Sequence, residues 1–353
     1  MTLSRGAIGN LVNRYRAVLR KCRMMNVFGS LAVAGMLVAG NAGFAGAEEL
    51  SGDISPISLS GDTRNIIGVG DISLRSTEPA LRYLINVSGQ GQLDISMSNG
   101  SPMAVGNADG IYLKDYSDSD QYASAFHVAG SGSSGSFVGT GTFSMVGGGK
   151  LLGVCAFLSE SKGTLTLSGD ITGEAEAVMN GSNGYASFAA AAAGGNLVFG
   201  GDRTTLRAKA STGNNANGAF VKYGGMIGFA SKSVLIESKN TDSSSVGINC
   251  ADGTVKTSAD TDLDIVVEGN KATTGIQLTA SSSDVQLAGN LDLTATQTGQ
   301  DSFASVLGIS NDSGKMVVSG PTSLRLATNA PFDAKGITAS GKADMSFLGD
   351  VEI

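Results

Sequence analysis

A glycine followed by isoleucine recurs at Gly247-Ile248, Gly275-Ile276, Gly308-Ile309 and Gly336-Ile337, at intervals of 28, 33 and 28 residues. Self-similarity at a period of about 20–50 residues belongs to solenoids, propellers and repeat arrays, so this feature excludes most folds before any other. A second element, two apolar residues flanking a polar one, recurs at Val234-Ile236, Leu263-Ile265, Leu291-Leu293, Leu324-Leu326 and Val351-Ile353, at intervals of 29, 28, 33 and 27. Both series read as absorbing one five-residue insertion between Leu293 and Leu324, as a single enlarged loop would produce. A third apolar position falls between them at Val255, Val285, Val317 and Met345.

Each element alternates apolar and polar residues, as in TDLDIVV, GNLDLTA, DVQLAG and TGIQL, which is strand and not helix periodicity. The elements are separated by EGNKATTG, TASSSD and SNDSGK, which are turn chemistry. Three short strands in about 28 residues predict one coil of a parallel β-solenoid, in which each strand pairs with its counterpart one coil later. Backward along the chain, Leu206-Ala208 precedes Val234 by 28 residues, Gly218 and Gly184 fall near the glycine slot, and Leu165-Leu167 opens another coil. DISLRS at 71–76, LDISMS at 93–98 and GIYLKD at 110–115 read as strands at tighter spacing. The stretch GSGSSGSFVGTGTFSMVGGG at 130–149 has too much glycine for its register to be read, as an irregular loop or as coils with very small side chains, and Ala189–Ala193 reads as packed tightly inside a coil, with a short helical turn as the alternative. About 300 residues at this period give roughly ten coils, on the order of 50 Å of rod.

Composition agrees with narrow coils and many corners. Of 353 residues 51 are glycine and only five are proline, the residue a paired interior strand cannot use. A collagen chain would need proline and glycine at every third position, and a disordered acidic chain more charge than 16%. A net charge of −7 gives no basic face for nucleic acid, so no nucleic-acid partner is expected.

The charge is unevenly placed. Arg5, Arg14, Arg16, Arg20, Lys21 and Arg23 precede Glu48 with no acid among them; from Glu48 onward 18 basic residues face 31 acidic ones, a balance of −13. The uncharged run Val27 to Ala39 follows the basic arm and leads to Ala45-Gly46-Ala47, the order of a secretory signal with an A-x-A-like cleavage site before Glu48. The run falls short of the roughly 20 apolar residues of a bilayer span. Residues 1–47 are therefore expected to be an extended signal peptide and 48–353 the exported part. Cys22 falls in the signal, which leaves Cys155 and Cys250, 95 residues apart and expected to be small buried hydrophobes.

The long basic arm, with NRYRAVLRKCR at 13–23, resembles the extended signal region of Gram-negative autotransporters (type V secretion). The repeat over most of residues 50–353 looks like the passenger of those proteins, which implies an all-β, right-handed parallel β-helix. That resemblance implies export through the periplasm to the cell surface, the outer membrane or the medium, and contact with surface glycans or proteins of a host or of other bacteria. Such passengers are followed by a translocator barrel of amphipathic strands; the sequence reaches Val351-Glu352-Ile353 in mid-strand, so the translocator is expected outside this chain and 48–353 to be an incomplete passenger-like domain.

No catalytic, cofactor or metal set stands out. His127, the one histidine, lies in the alternating AFHVAG; a triad would draw a serine from GSSGS at 132–136 or NDSGK at 311–315, with Asp118 or Asp120 to orient the ring. An outward-facing histidine on a strand explains it more simply. Asp71, Asp94, Asp170, Asp264 and Asp292 lie in or beside strands, and Asp264 and Asp292 share a repeat slot. Stacked carboxylates could serve as an acid–base pair or a Ca²⁺ site. A solvated ladder partly neutralised by Arg325, read as the next coil's equivalent, accounts for them without a ligand. Gly147-Gly148-Gly149-Lys150 lacks the rest of a phosphate loop, and GVGD at 68–71 has no tandem copies. The expectation is a non-enzymatic surface adhesin binding through its outer faces and through loops such as 240–246 and 297–305. The alternatives are a carbohydrate-active lyase or hydrolase, and a rod that self-assembles and would sediment as more than a monomer.

Overall fold

In the computed structural model, residues 47–78, 81–98, 100–107, 122–147, 153–178, 186–211, 215–300, 305–329 and 334–353 are described. Residues 1–46 of the expected signal peptide 1–47, GIYLKD at 110–115, Asp118, Asp120, Gly148 to Lys150, Gly184 and residues 301–304 lie outside them. The described residues form a parallel β-solenoid: strands stack into a broad sheet of 17 and a narrow sheet of ten, and every strand pairing is parallel. The coil-to-coil step along the narrow sheet is 28 residues from Ile57 to Ile85, 31 from Phe126 to Phe157, 28 from Ile248 to Ile276 and 33 from Ile276 to Ile309.

Three strands per coil hold in the C-terminal half, where the broad sheet carries pairs such as Gly253–Thr257 with Asp262–Gly269. Toward the N-terminus the two fuse, as in Ser134–Gly147, Thr164–Ala177 and Asn196–Ala210. The glycine-rich stretch 130–149 is therefore mostly one strand, in unbroken register from Ser134–Thr164 to Gly147–Ala177. Its corner is Gly139, stacked on Gly169; their φ of 138° and 121° are angles glycine adopts without strain. Ala189 to Ala193 lie in the strand Ala186–Ala193.

The glycine–isoleucine slot is in true register: Ile248, Ile276, Ile309 and Ile337 stack, all but Ile337 fully buried, and Ala219 continues the column. A Cβ on Gly275 would lie 2.5 Å from the carbonyl oxygen of Gly308, and one on Gly247 2.6 Å from that of Gly275. Glycine recurs there because adjacent coils touch through their backbones.

Register in the other two series differs from the sequence reading. Leu293, not Leu291, pairs with Leu324, and Thr322 pairs with Val351. Likewise Ile236, not Val234, pairs with Leu206. Slips of two keep every side chain on its face, so alternation alone does not detect them. Val285 stacks on Met316, which is fully buried, and not on Val317; the apolar run MVV hides which residue points inward. Leu165 belongs to the column of Leu197, Ile227 and Val255, and Leu167 to that of Phe199, Phe229 and Thr257.

The core is continuous from Ile57 to Leu324. Its N-terminal half is widened by phenylalanines in contact from coil to coil: Phe143 and Phe157 have ring centroids 5.0 Å apart, Phe157 and Phe199 5.5 Å, and Phe199 and Phe229 5.4 Å. Glycines make room for them: a Cβ on Gly141 would strike Phe137 and Phe143 of its own strand, and one on Gly173 would strike Phe157 of the facing sheet.

Candidate functional site

Two outer surfaces concentrate chemistry. The first is an open acidic groove of about 550 Å³ on the broad sheet, lined by Asp262, Asp264, Asn290, Asp292, Asp350 and Glu352 among others. Asp264 and Asp292 stack one coil apart, as their spacing predicts. Arg325 neutralises Asp292 from Nη1, donating to both carboxylate oxygens at 2.8 and 3.0 Å. It does so diagonally, because Asp292 pairs with Ser323 and Arg325 with Thr294. Arg325 is thus not the equivalent of Asp292, but a two-residue offset keeps both on the outer face. Asn290 Nδ2 donates to Asp262 Oδ1 at 2.7 Å. Among the described residues Asp264 has no such donor, and partial burial, then the charges of Asp292 and Asp262, raise its pKa.

A carboxyl whose pKa is raised on folding destabilises the fold once ionised, so its cost is absent at low pH and grows as pH rises through the carboxylate range. Asp264→Asn is expected to raise the melting temperature by roughly 1–2 °C at pH 7, and the gain should vanish on acidification to about pH 3. Thermal melts at the two pH values check this; a loss at pH 7 would contradict it.

The other three acids do not join this pair. Asp94 lies on the other half of the broad sheet and accepts from Ser136 Oγ at 2.5 Å, Asp170 pairs with Arg203, and Asp71 is exposed. Among the described residues no group of three or more His, Cys, Asp or Glu is arranged to hold a metal ion.

The second surface is the outer face of the narrow sheet. In the strands Tyr122–Ala129, Gly153–Glu160 and Ala186–Ala193 nearly every residue is buried, whichever face it is on. The strand Asn215–Lys222 continues this surface. Outward side chains from the two halves of these strands converge into a second apolar cluster of Tyr122, Cys155, Leu158, Phe188 and Ala191, with Tyr83, Ala186 and Phe220 packed against it. Phe188 stacks on Phe220 at 4.7 Å between centroids, and the Tyr122 ring meets Phe188 edge-on at 5.9 Å. His127, 5% exposed, lies here stacked on Tyr83 at 3.9 Å. Its Nδ1 is 2.8 Å from Asn86 Oδ1 and its Nε2 3.0 Å from Glu160 Oε2.

These contacts fill the positions a serine nucleophile and an aspartate would need. Ser133 Oγ accepts the Gln90 N–H at 3.0 Å, and Ser136 serves Asp94. In NDSGK the buried Asn311 clamps the turn, accepting from Gly314 N–H at 2.7 Å and donating to Gly314 C=O at 2.9 Å. Among the described residues Cys155 and Cys250 are free and buried. Burial, then Glu160, push the Cys155 thiol up, and burial pushes Cys250 to about 11, which makes neither a ready nucleophile.

At the edge of the cluster the Lys222 ammonium lies over three rings, 4.4 Å from the centroid of Tyr223, 5.3 Å from Tyr122 and 5.6 Å from Phe220. Tyr223 is 70% exposed with a left-handed φ of 56°, an uncommon conformation for a bulky residue. Sequence reasoning missed this surface. Its trace is aromatics at outward positions of several narrow-sheet strands: Tyr83, Tyr122, Phe188 and Phe220.

Compared with known proteins, the chain matches no family model, no curated protein and no solved structure.

Proposed function

We propose that this chain is an exported, non-enzymatic β-solenoid that acts by contact, as an adhesin or passenger meeting glycans or proteins of other cell surfaces. The observation that carries this reading is the exposed ring of Tyr223, which stands with Lys222 at the edge of the buried aromatic cluster of the narrow sheet. Aromatic faces with a few polar groups are what a contact surface for sugars or protein side chains needs. The basic arm, the apolar run and Ala45-Gly46-Ala47 support export, and the resemblance to autotransporter passengers supports the cell surface as destination.

Purified 48–353, tested on glycan arrays and intact cells beside an unrelated β-helix, is expected to retain a defined subset of surfaces. Binding no stronger than the unrelated β-helix would sink the proposal.

One observation favours a second reading, a carbohydrate-active enzyme. Asp264 is held toward its neutral form by partial burial and the neighbouring carboxylates, while the stacked Asp292 accepts from Arg325, two unlike environments of the kind an acid–base pair uses. That reading expects depolymerisation of an acidic or neutral polysaccharide, abolished by Asp264→Asn or Asp292→Asn. A polysaccharide panel without product release would dismiss it.

A further inference from the structure

The aromatic surface holds a cation already. Arg64, Arg207, Lys232, Lys239 and Arg325 each meet a carboxylate within 3.2 Å. Among the described residues Lys222 has no such partner; its ammonium instead faces Tyr122, Phe220 and Tyr223. Three rings within about 6 Å of one charge is the geometry in which aromatic faces attract a cation. Glu160 lies in the same column of the narrow sheet two coils away, with Ala193 between, so a carboxylate flanks the rings as well.

We infer that these three rings form a receptor for a ligand ammonium of the quaternary class, such as the trimethylammonium of choline, and that Lys222 is its displaceable internal occupant. A primary ammonium is compact and strongly hydrated, so seating it on rings forfeits much of its hydration. A quaternary ammonium is weakly hydrated and presents methyl groups to the ring faces, so it gains more from the same site. Lys222 has four rotatable methylenes with which to swing out to water, and Tyr223 stands at the exposed rim where a ligand would enter. The net charge of −13 from Glu48 onward favours the approach of cations. The inference does not depend on adhesion: the rings could take an ammonium whether or not the rod binds cells.

Tetramethylammonium chloride titrated into the full chain, followed by tyrosine ring NMR shifts against matched sodium chloride, tests it. Saturable shifts are expected for the wild type, with affinity raised about tenfold in Lys222→Gln, where the competing cation is gone. Tyr223→Ala, at an exposed turn where unfolding is not expected, should abolish them. Choline chloride and phosphatidylcholine vesicles, run as separate arms, distinguish a free ligand from a lipid headgroup. No saturable shift in either wild type or Lys222→Gln, or full retention in Tyr223→Ala, would overturn the inference.

Discussion

Gly275→Val is expected to unfold the C-terminal coils at room temperature or to lower stability by more than the ~1–3 kcal/mol usual for overpacking. The Cβ alone would lie 2.5 Å from the Gly308 carbonyl oxygen and run into the Leu293 side chain. A leucine can turn aside, but the carbonyl is held by parallel pairing on both sides of the column, Thr274–Leu307 and Ile276–Ile309. A β-branched side chain adds two further carbons to that conflict. Gly200→Ala is the control: its Cβ would meet nothing closer than Ser168 Oγ at 3.7 Å, so a change within about 0.5 kcal/mol is expected. Urea denaturation followed by circular dichroism compares the two, with hydrogen exchange to locate the loss, because solenoids can melt coil by coil. Equal effects from both substitutions would show that coil contact at the glycine column does not limit the fold.

Phe157→Ala carries the second large effect, a loss of about 3–5 kcal/mol. The ring is fully buried, contacts Phe143 and Phe199 in neighbouring coils, and covers Gly173 on the facing strand. Removing it leaves a cavity that glycine cannot help to fill. The pairing of a large ring with an absent side chain also predicts a partial rescue. Phe157→Leu should cost less, and Gly173→Ala, harmful alone because its Cβ strikes the ring, should be neutral or favourable in the Phe157→Leu background. A double-mutant cycle by urea denaturation measures that coupling, and simple additivity would contradict the packing described.

Much of this architecture is legible in the sequence, for reasons that differ by element. The glycine–isoleucine slot keeps true register because its glycines are dictated by backbone contact between coils, which no other residue satisfies. Leu291, Leu293, Leu324 and Leu326 obey only the inward–outward alternation, and a pattern of period two is blind to a two-residue slip. The Asp264–Asp292 stack could be read because no insertion falls between those coils; Arg325 could not be placed, because the longer step from Ile276 to Ile309 lies before it. The aromatic surface was hidden by the bend of the narrow-sheet strands. Ala125 and Phe126 are consecutive yet both belong to the core, so the strict alternation that would mark His127 as simply solvent-facing is broken. A histidine expected in water is instead buried against Tyr83, Asn86 and Glu160.

The central claim is a solenoid whose coils stack in the stated register, and paired cysteines test it most directly. Registered neighbours in a parallel sheet have Cα atoms about 4.8 Å apart, within disulfide reach, whereas a two-residue offset takes them to roughly 8 Å, beyond it. Thr294 and Arg325 are registered; Asp292 and Arg325 are offset by two. Oxidation of the Thr294→Cys/Arg325→Cys protein, read by mass spectrometry of the linked peptides, is expected to yield the disulfide efficiently. The Asp292→Cys/Arg325→Cys protein should yield little. The reverse preference would restore the 33-residue repeat of the sequence reading, and linkage in neither would contradict the stacking of these coils.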